Sequence, residues 1–173
     1  MTKVKKILVV DDEPDITLTL KTGLENLKQD NKNLFEVETF NDPELAFSNY
    51  TPGKYDLLLL DFKMSKINGV ELWDKIRKVD SKAKVCFITA LNIDYESLRE
   101  TFPLLEIECF IQKPIEICEL VDKIKAELVP GWRWQQGHDN GFCALTSASS
   151  DSTLLDCYNI VIEDNIVYNN TKM

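Results

Sequence analysis

From about residue 5 to residue 129, short apolar runs alternate with longer segments whose apolar positions recur at helical spacing. Residues 6–10, 35–40, 57–60, 85–89 and 109–112 are runs too short for helices and predict strands. Two of them, Ile7-Leu8-Val9-Val10 and Leu57-Leu58-Leu59-Leu60, are unbroken and aliphatic, as expected of strands covered on both faces. Between the runs, Ile16, Leu20, Leu24 and Leu27 make one helical stripe, with Asp15 near its start and Gly23 as an internal weak point. Asn41-Asp42-Pro43 places a capping residue before a first-turn proline and predicts a second helix. Val70, Trp73 and Ile76 form a third stripe, and residues 94–101 predict a short fourth helix that Pro103 stops. The clearest apolar face, on a fifth helix, joins Ile117, Leu120, Val121, Ile124 and Leu128.

Strands alternating with helices predict an α/β domain, with a parallel sheet, right-handed crossovers and helices on both faces. Five such units over roughly 125 residues suit a doubly wound sheet and are too few for an eight-fold barrel. The pattern breaks at Pro130-Gly131, so a domain is expected over residues 3–129 and a C-terminal extension over 130–173. Residues 147–153 are rich in Ser and Thr and read as linker or disorder. Farther on, two short apolar stretches flank Glu163-Asp164-Asn165, the pattern of a small β-hairpin.

Both aliphatic strands end in acid, the first at Asp11-Asp12 and the third at Asp61. Ligands of open parallel sheets bind at that carboxyl edge. Three carboxylates there repel one another; at 4 Å and an effective dielectric of 20, one like-charged pair costs on the order of 4 kcal/mol. A hard cation offsets such charge. Mg²⁺ fits best, because it takes oxygen ligands, needs only one or two carboxylates and keeps several waters.

Net charge narrows the partners. It is −9 for 173 residues, and neither part of the chain is basic: residues 130–173 hold 2 Lys/Arg against 5 Asp/Glu. No direct nucleic-acid binding is expected of such a surface. The 5 cysteines form no C-x-x-C pair and read as buried, reduced thiols. His138 is the only histidine, which leaves little material for a histidine-based zinc site or triad. No apolar stretch approaches the ~20 residues of a membrane span, and the short run after Lys3, Lys5 and Lys6 is no signal peptide. A soluble, cytoplasmic protein is expected.

The strand ends read VVDDEPD at 9–15, LLLLDFKMSKINGVEL at 57–72, FITA at 87–90 and FIQKPI at 110–115. Together these resemble the receiver domain of two-component response regulators, of the chemotaxis-receiver type, over about residues 3–128. The resemblance implies a flavodoxin-like sheet of five parallel strands in the order 2-1-3-4-5. It implies that Asp61 is the phosphoacceptor. Asp11, Asp12, Asp61 and the backbone carbonyl of Lys63 correspond to the ligands of Mg²⁺. Thr89 and Lys113 correspond to the groups that contact the phosphoryl group, and Phe110 to the aromatic switch position. Departures exist: Ser65 stands where receivers commonly have proline, which suggests a less rigid loop. Lys63 and Leu91 occupy positions that in the family help set the lifetime of the acyl phosphate.

The function implied is regulatory rather than enzymatic, although such domains catalyse their own phosphorylation and dephosphorylation. A sensor histidine kinase or phosphotransfer protein would supply the phosphoryl group, and a downstream protein would read the switch. A homodimer through the face of the fourth helix, fifth strand and fifth helix is a further expectation. Two alternatives come from other classes. A haloacid-dehalogenase-type phosphatase expects a second Asp two residues after the nucleophile, where this chain has Lys63. A non-phosphorylated interaction module would not need the set Asp11, Asp12, Asp61, Thr89 and Lys113.

Overall fold

The structure, a computed structural model, describes residues 3–29, 31–90, 109–128, 160–163 and 166–169. Five parallel strands make its main sheet: β1 (Lys5–Val10), β4 (Phe35–Phe40), β5 (Leu57–Asp61), β6 (Val85–Thr89) and β7 (Cys109–Gln112). Their order is β4-β1-β5-β6-β7, which is 2-1-3-4-5 counted over the five long strands. The register runs Ile7↔Val37 and Ile7↔Leu57, then Leu60↔Phe87 and Ile88↔Ile111. This is the doubly wound, flavodoxin-like sheet expected.

Successive strand side chains point to opposite faces, so each aliphatic run supplies both layers of core. Ile7, Val9, Leu57, Leu59, Ile88 and Ile111 face helix α1 (Pro14–Glu25) and helix α4 (Ile117–Leu128). Leu8, Val10, Leu58, Leu60 and Phe87 face α2 (Pro43–Ser48) and α3 (Gly69–Val79). Trp73 and Ile76 of α3 and Ile117, Leu120 and Ile124 of α4 are buried, as their stripes predict. The candidate fourth helix, 94–101, lies outside the described residues.

Local chemistry sets the helix starts. Pro14 opens α1. Asp42 caps α2 by accepting from the backbone N–H groups of Glu44 and Leu45. Asn68 and Glu71 form a reciprocal capping box on α3. Gly23 reads differently in the fold: a Cβ there would lie 2.6 Å from Ile117 Cδ1, so the small residue lets α1 approach α4 closely.

Some features carried no periodic signal. β2 (Lys28–Gln29) and β3 (Lys32–Asn33) form a two-residue ladder around Asn31, whose φ is 58°. β9 (Ile160–Glu163) and β10 (Ile166–Asn169) do pair antiparallel as the hairpin pattern predicts, but the pairing of β9 with β8 (Ile115–Glu116), between β7 and α4, had no such signal. The expectation of reduced thiols is corrected for two of the cysteines: Cys86 and Cys109 are joined in a disulfide. The parallel register sets Cys86 directly opposite Cys109, a juxtaposition that sequence spacing does not reveal.

Candidate functional site

The carboxyl ends of four neighbouring strands deliver the site. β1 runs into Asp11-Asp12, β5 ends on Asp61, β6 ends on Thr89, and β7 leads to Lys113. Lys113 Nζ donates to Asp11 Oδ2 at 3.3 Å and to Asp61 Oδ1 at 3.1 Å. The three groups are buried, at 3%, 8% and 5% exposure for Asp11, Asp61 and Lys113. The Lys113 backbone N–H donates to the Thr89 carbonyl at 2.7 Å, so the ends of β6 and β7 are held together. The Lys113–Pro114 peptide is cis.

Each acid also accepts from a backbone N–H. Glu13 N donates to Asp11 Oδ1 at 2.9 Å and Lys63 N to Asp61 Oδ2 at 2.8 Å. Ser65 N donates to Asp12 Oδ2 at 2.7 Å. A proline at 65 could make no such bond. Ser65 therefore ties its loop to the acidic pair, where sequence suggested only loss of rigidity.

Burial pushes the Asp61 carboxyl up to about 6, Lys113 pulls against that shift, and the Asp11 charge adds to it. Asp11 is also raised, by burial first, with Lys113 opposing. Burial disfavours the Lys113 ammonium, but the Asp11 and Asp61 carboxylates outweigh it and raise its pKa. Two buried carboxylates thus share one cation, and the site keeps a surplus of negative charge.

Asp11, Asp61 and Lys113 meet directly, and Asp12 stands at the rim on Ser65. Among the described residues, no three acid, His or Cys side chains are gathered closely enough to form a ready-made metal cage. Thr89 is buried at its strand end. Phe110 is half-buried and stacks on Phe87 with ring centroids 5.5 Å apart. It also lies 6.4 Å from Phe62, the residue after Asp61. Leu91 lies outside the described residues.

Two contributors were not foreseen. Asn41 Nδ2 donates to the Asp11 carbonyl and to Thr17 Oγ1, both at 2.8 Å, and Thr17 Oγ1 donates to the Pro14 carbonyl. These bonds pin the turn that carries Asp11 and Asp12 to the first turn of α1 and to the exit of β4. In sequence Asn41 is only part of the helix-start signal Asn41-Asp42-Pro43, whose capping role Asp42 fills. Phe62 is the second, an aromatic that follows Asp61 and lies against both Phe87 and Phe110.

This geometry has relatives. A family model described as the response regulator receiver domain matches residues 7–125. The chain belongs to the response regulator receiver family. It is 31% identical over 125 residues to the transcriptional regulatory protein PrrA of Mycobacterium leprae, covering 71% of this chain and 49% of that protein. To the CpxR homolog of Haemophilus influenzae it is 37% identical over 123 residues, covering 71% and 50%. The chain thus spans about half the length of these relatives. Among solved structures, the response regulator TrrA of Thermotoga maritima, in complex with Mg²⁺ and BeF, is 33% identical with a TM-score of 0.59. That match covers 72% of this chain and 100% of TrrA. The non-phosphorylated HemR receiver domain of Leptospira biflexa is 26% identical with a TM-score of 0.60, covering 78% and 98%.

The receiver is a regulatory domain of two-component signalling, a system in which response regulators act with sensor kinases. No helix among the described residues is long and apolar enough to cross a membrane.

Proposed function

We propose that Asp61 accepts a phosphoryl group from a sensor histidine kinase or phosphotransfer protein in the cytoplasm, and that a downstream protein reads the result. The observation that carries this reading is the Lys113 ammonium held between the buried carboxylates of Asp11 and Asp61. In this reading residues 3–129 are the receiver and 130–173 an appended segment.

The donor chemistry fits Mg²⁺. Two buried acids, a third at the rim and one ammonium leave excess negative charge, and this cation binds through a few carboxylates while keeping its waters. Asp11, Asp12, Asp61 and the Lys63 carbonyl would hold it. Bound there, Mg²⁺ would supply charge neutralisation for the transferring oxygens.

The chain's own groups do the rest. Asp61 is the nucleophile, oriented by the Lys63 N–H on its second oxygen. Lys113, already 3.1 Å from Asp61 Oδ1, follows the new negative charge and pairs with a phosphoryl oxygen. Thr89 can donate a hydroxyl hydrogen bond to another oxygen. Its loop then shifts, and Phe110 turns further inward against Phe62 and Phe87, remodelling the face around β7. Phosphorylation thereby favours one conformation of a pre-existing pair.

Labelling by acetyl phosphate tests the reading. Incorporation should require Mg²⁺ and fall at least tenfold in Asp61→Asn. Labelling that survives this substitution contradicts the assignment, and steady turnover of phosphate esters points to the phosphatase chemistry instead.

A further inference from the structure

β8 is a two-residue strand, Ile115–Glu116, that begins two positions after Lys113. Its partner is supplied by the far end of the chain: Ile115 pairs with Ile162 and Glu116 with Val161, antiparallel. β10 completes a three-stranded sheet in the order β10-β9-β8. β9 lies against α1 and α4, and β10 against α1. The C-terminal hairpin is therefore docked beside the same short segment that presents the site's ammonium.

We propose that this hairpin is the readout of the switch, docked on Ile115–Glu116 when Asp61 is free and released when Asp61 is phosphorylated. The inference rests on the phosphoacceptor reading of Asp61. Two observations and one chemical consequence carry it. Lys113 is clasped by two carboxylates in the docked state, so its position and that of the residues following it are set together. A phosphoryl group on Asp61 adds bulk and charge at the oxygen that Lys113 now contacts. Ile115 is only 2% exposed and so has little freedom to absorb a shift of Lys113 two residues away.

Energetics favour a small trigger. A two-stranded hairpin is marginal by itself in water, so docking depends on the strand edge that β8 offers. A modest misalignment of that edge suffices to tip the balance. Coupling is reciprocal: if phosphorylation weakens docking by some factor, docking disfavours phosphorylation by the same factor. Release uncovers backbone edges and the parts of α1 and α4 beneath, a new surface adjoining the site.

Amide hydrogen exchange on the full chain tests this, with beryllofluoride and Mg²⁺ as the phosphoryl mimic and ¹⁹F resonance reporting its binding. Ile162→Pro provides the exchange rate of an undocked hairpin, because proline cannot sustain the β9 ladder. With beryllofluoride bound, exchange at 160–163, 166–169 and 115–116 should rise at least tenfold, toward the Ile162→Pro rate. Bound beryllofluoride with unchanged or greater protection overturns the hairpin proposal and leaves the phosphoacceptor reading standing. Absence of the bound ¹⁹F signal overturns the phosphoacceptor reading, and the hairpin proposal with it.

Discussion

Lys113 holds two buried acids that would otherwise repel, and this arrangement predicts an unusual pH response. The folded pKa of Asp61, about 6, lies above the ordinary aspartate value of 3.8. Between roughly pH 4 and 6 the folded protein therefore binds more protons at this site than the unfolded chain does. By linkage, stability falls as pH rises through that window and stays lower above it. Asp61→Asn keeps the shape and removes the charge. In chelator, the variant should be more stable than the parent at pH 7.5 by on the order of 1–3 kcal/mol, with the advantage fading toward pH 4. Urea unfolding across pH checks this, and an advantage independent of pH would refute the linkage. These residues were legible because each strand run stops on a polar group: Asp11, Asp61, Thr89 and Lys113 announce themselves. Asn41 and the Ser65 N–H were not, because a side chain bonding to backbone from another loop leaves no pattern in sequence.

Among the elements, the junction of β5 and α3 shows how helix geometry limits the strand that carries Asp61. Gly69 is the first residue of α3, and its N–H donates to the Phe62 carbonyl at 3.2 Å. A Cβ at this position would overlap the Asp61 carbonyl oxygen. That neighbour is backbone and cannot swing aside. Alanine is the better helix former by about 1 kcal/mol, yet Gly69→Ala should destabilise by roughly 1–3 kcal/mol from overpacking. It should also lower the proposed labelling of Asp61, since relief requires moving β5 or the helix. Denaturant midpoints and acetyl phosphate labelling of the variant measure the two effects separately. Gly23 is the instructive contrast, because its nearest obstacle is the Ile117 side chain rather than backbone. Sequence marks Gly23 as a weak point inside a helix, and only tertiary contact separates its tight helix crossing from the constraint that Gly69 meets against β5.

Across the whole molecule, the two apolar layers came directly from strand alternation and helical stripes, whereas the two-residue ladders and the cysteine pairing did not. A pairing of two residues has no period, and partners as distant as Glu116 and Val161 meet only after the sheet has formed. The layers also leave the acidic site at one edge, where stability and ligation are coupled. A cation held by Asp11, Asp12 and Asp61, as proposed, would have no equivalent site in the unfolded chain and would stabilise by mass action. At a Mg²⁺ concentration a hundredfold above its dissociation constant, the gain is about 2.7 kcal/mol. For a chain of this size, that raises the unfolding temperature by roughly 5–10 °C. Removing Mg²⁺ with chelator should reverse the shift. Asp12→Asn should reduce it, because the carboxylate charge at the rim is gone. Thermal scans at graded Mg²⁺ settle the point, and a midpoint indifferent to Mg²⁺ in the parent would separate this acidic edge from metal-assisted phosphoryl transfer.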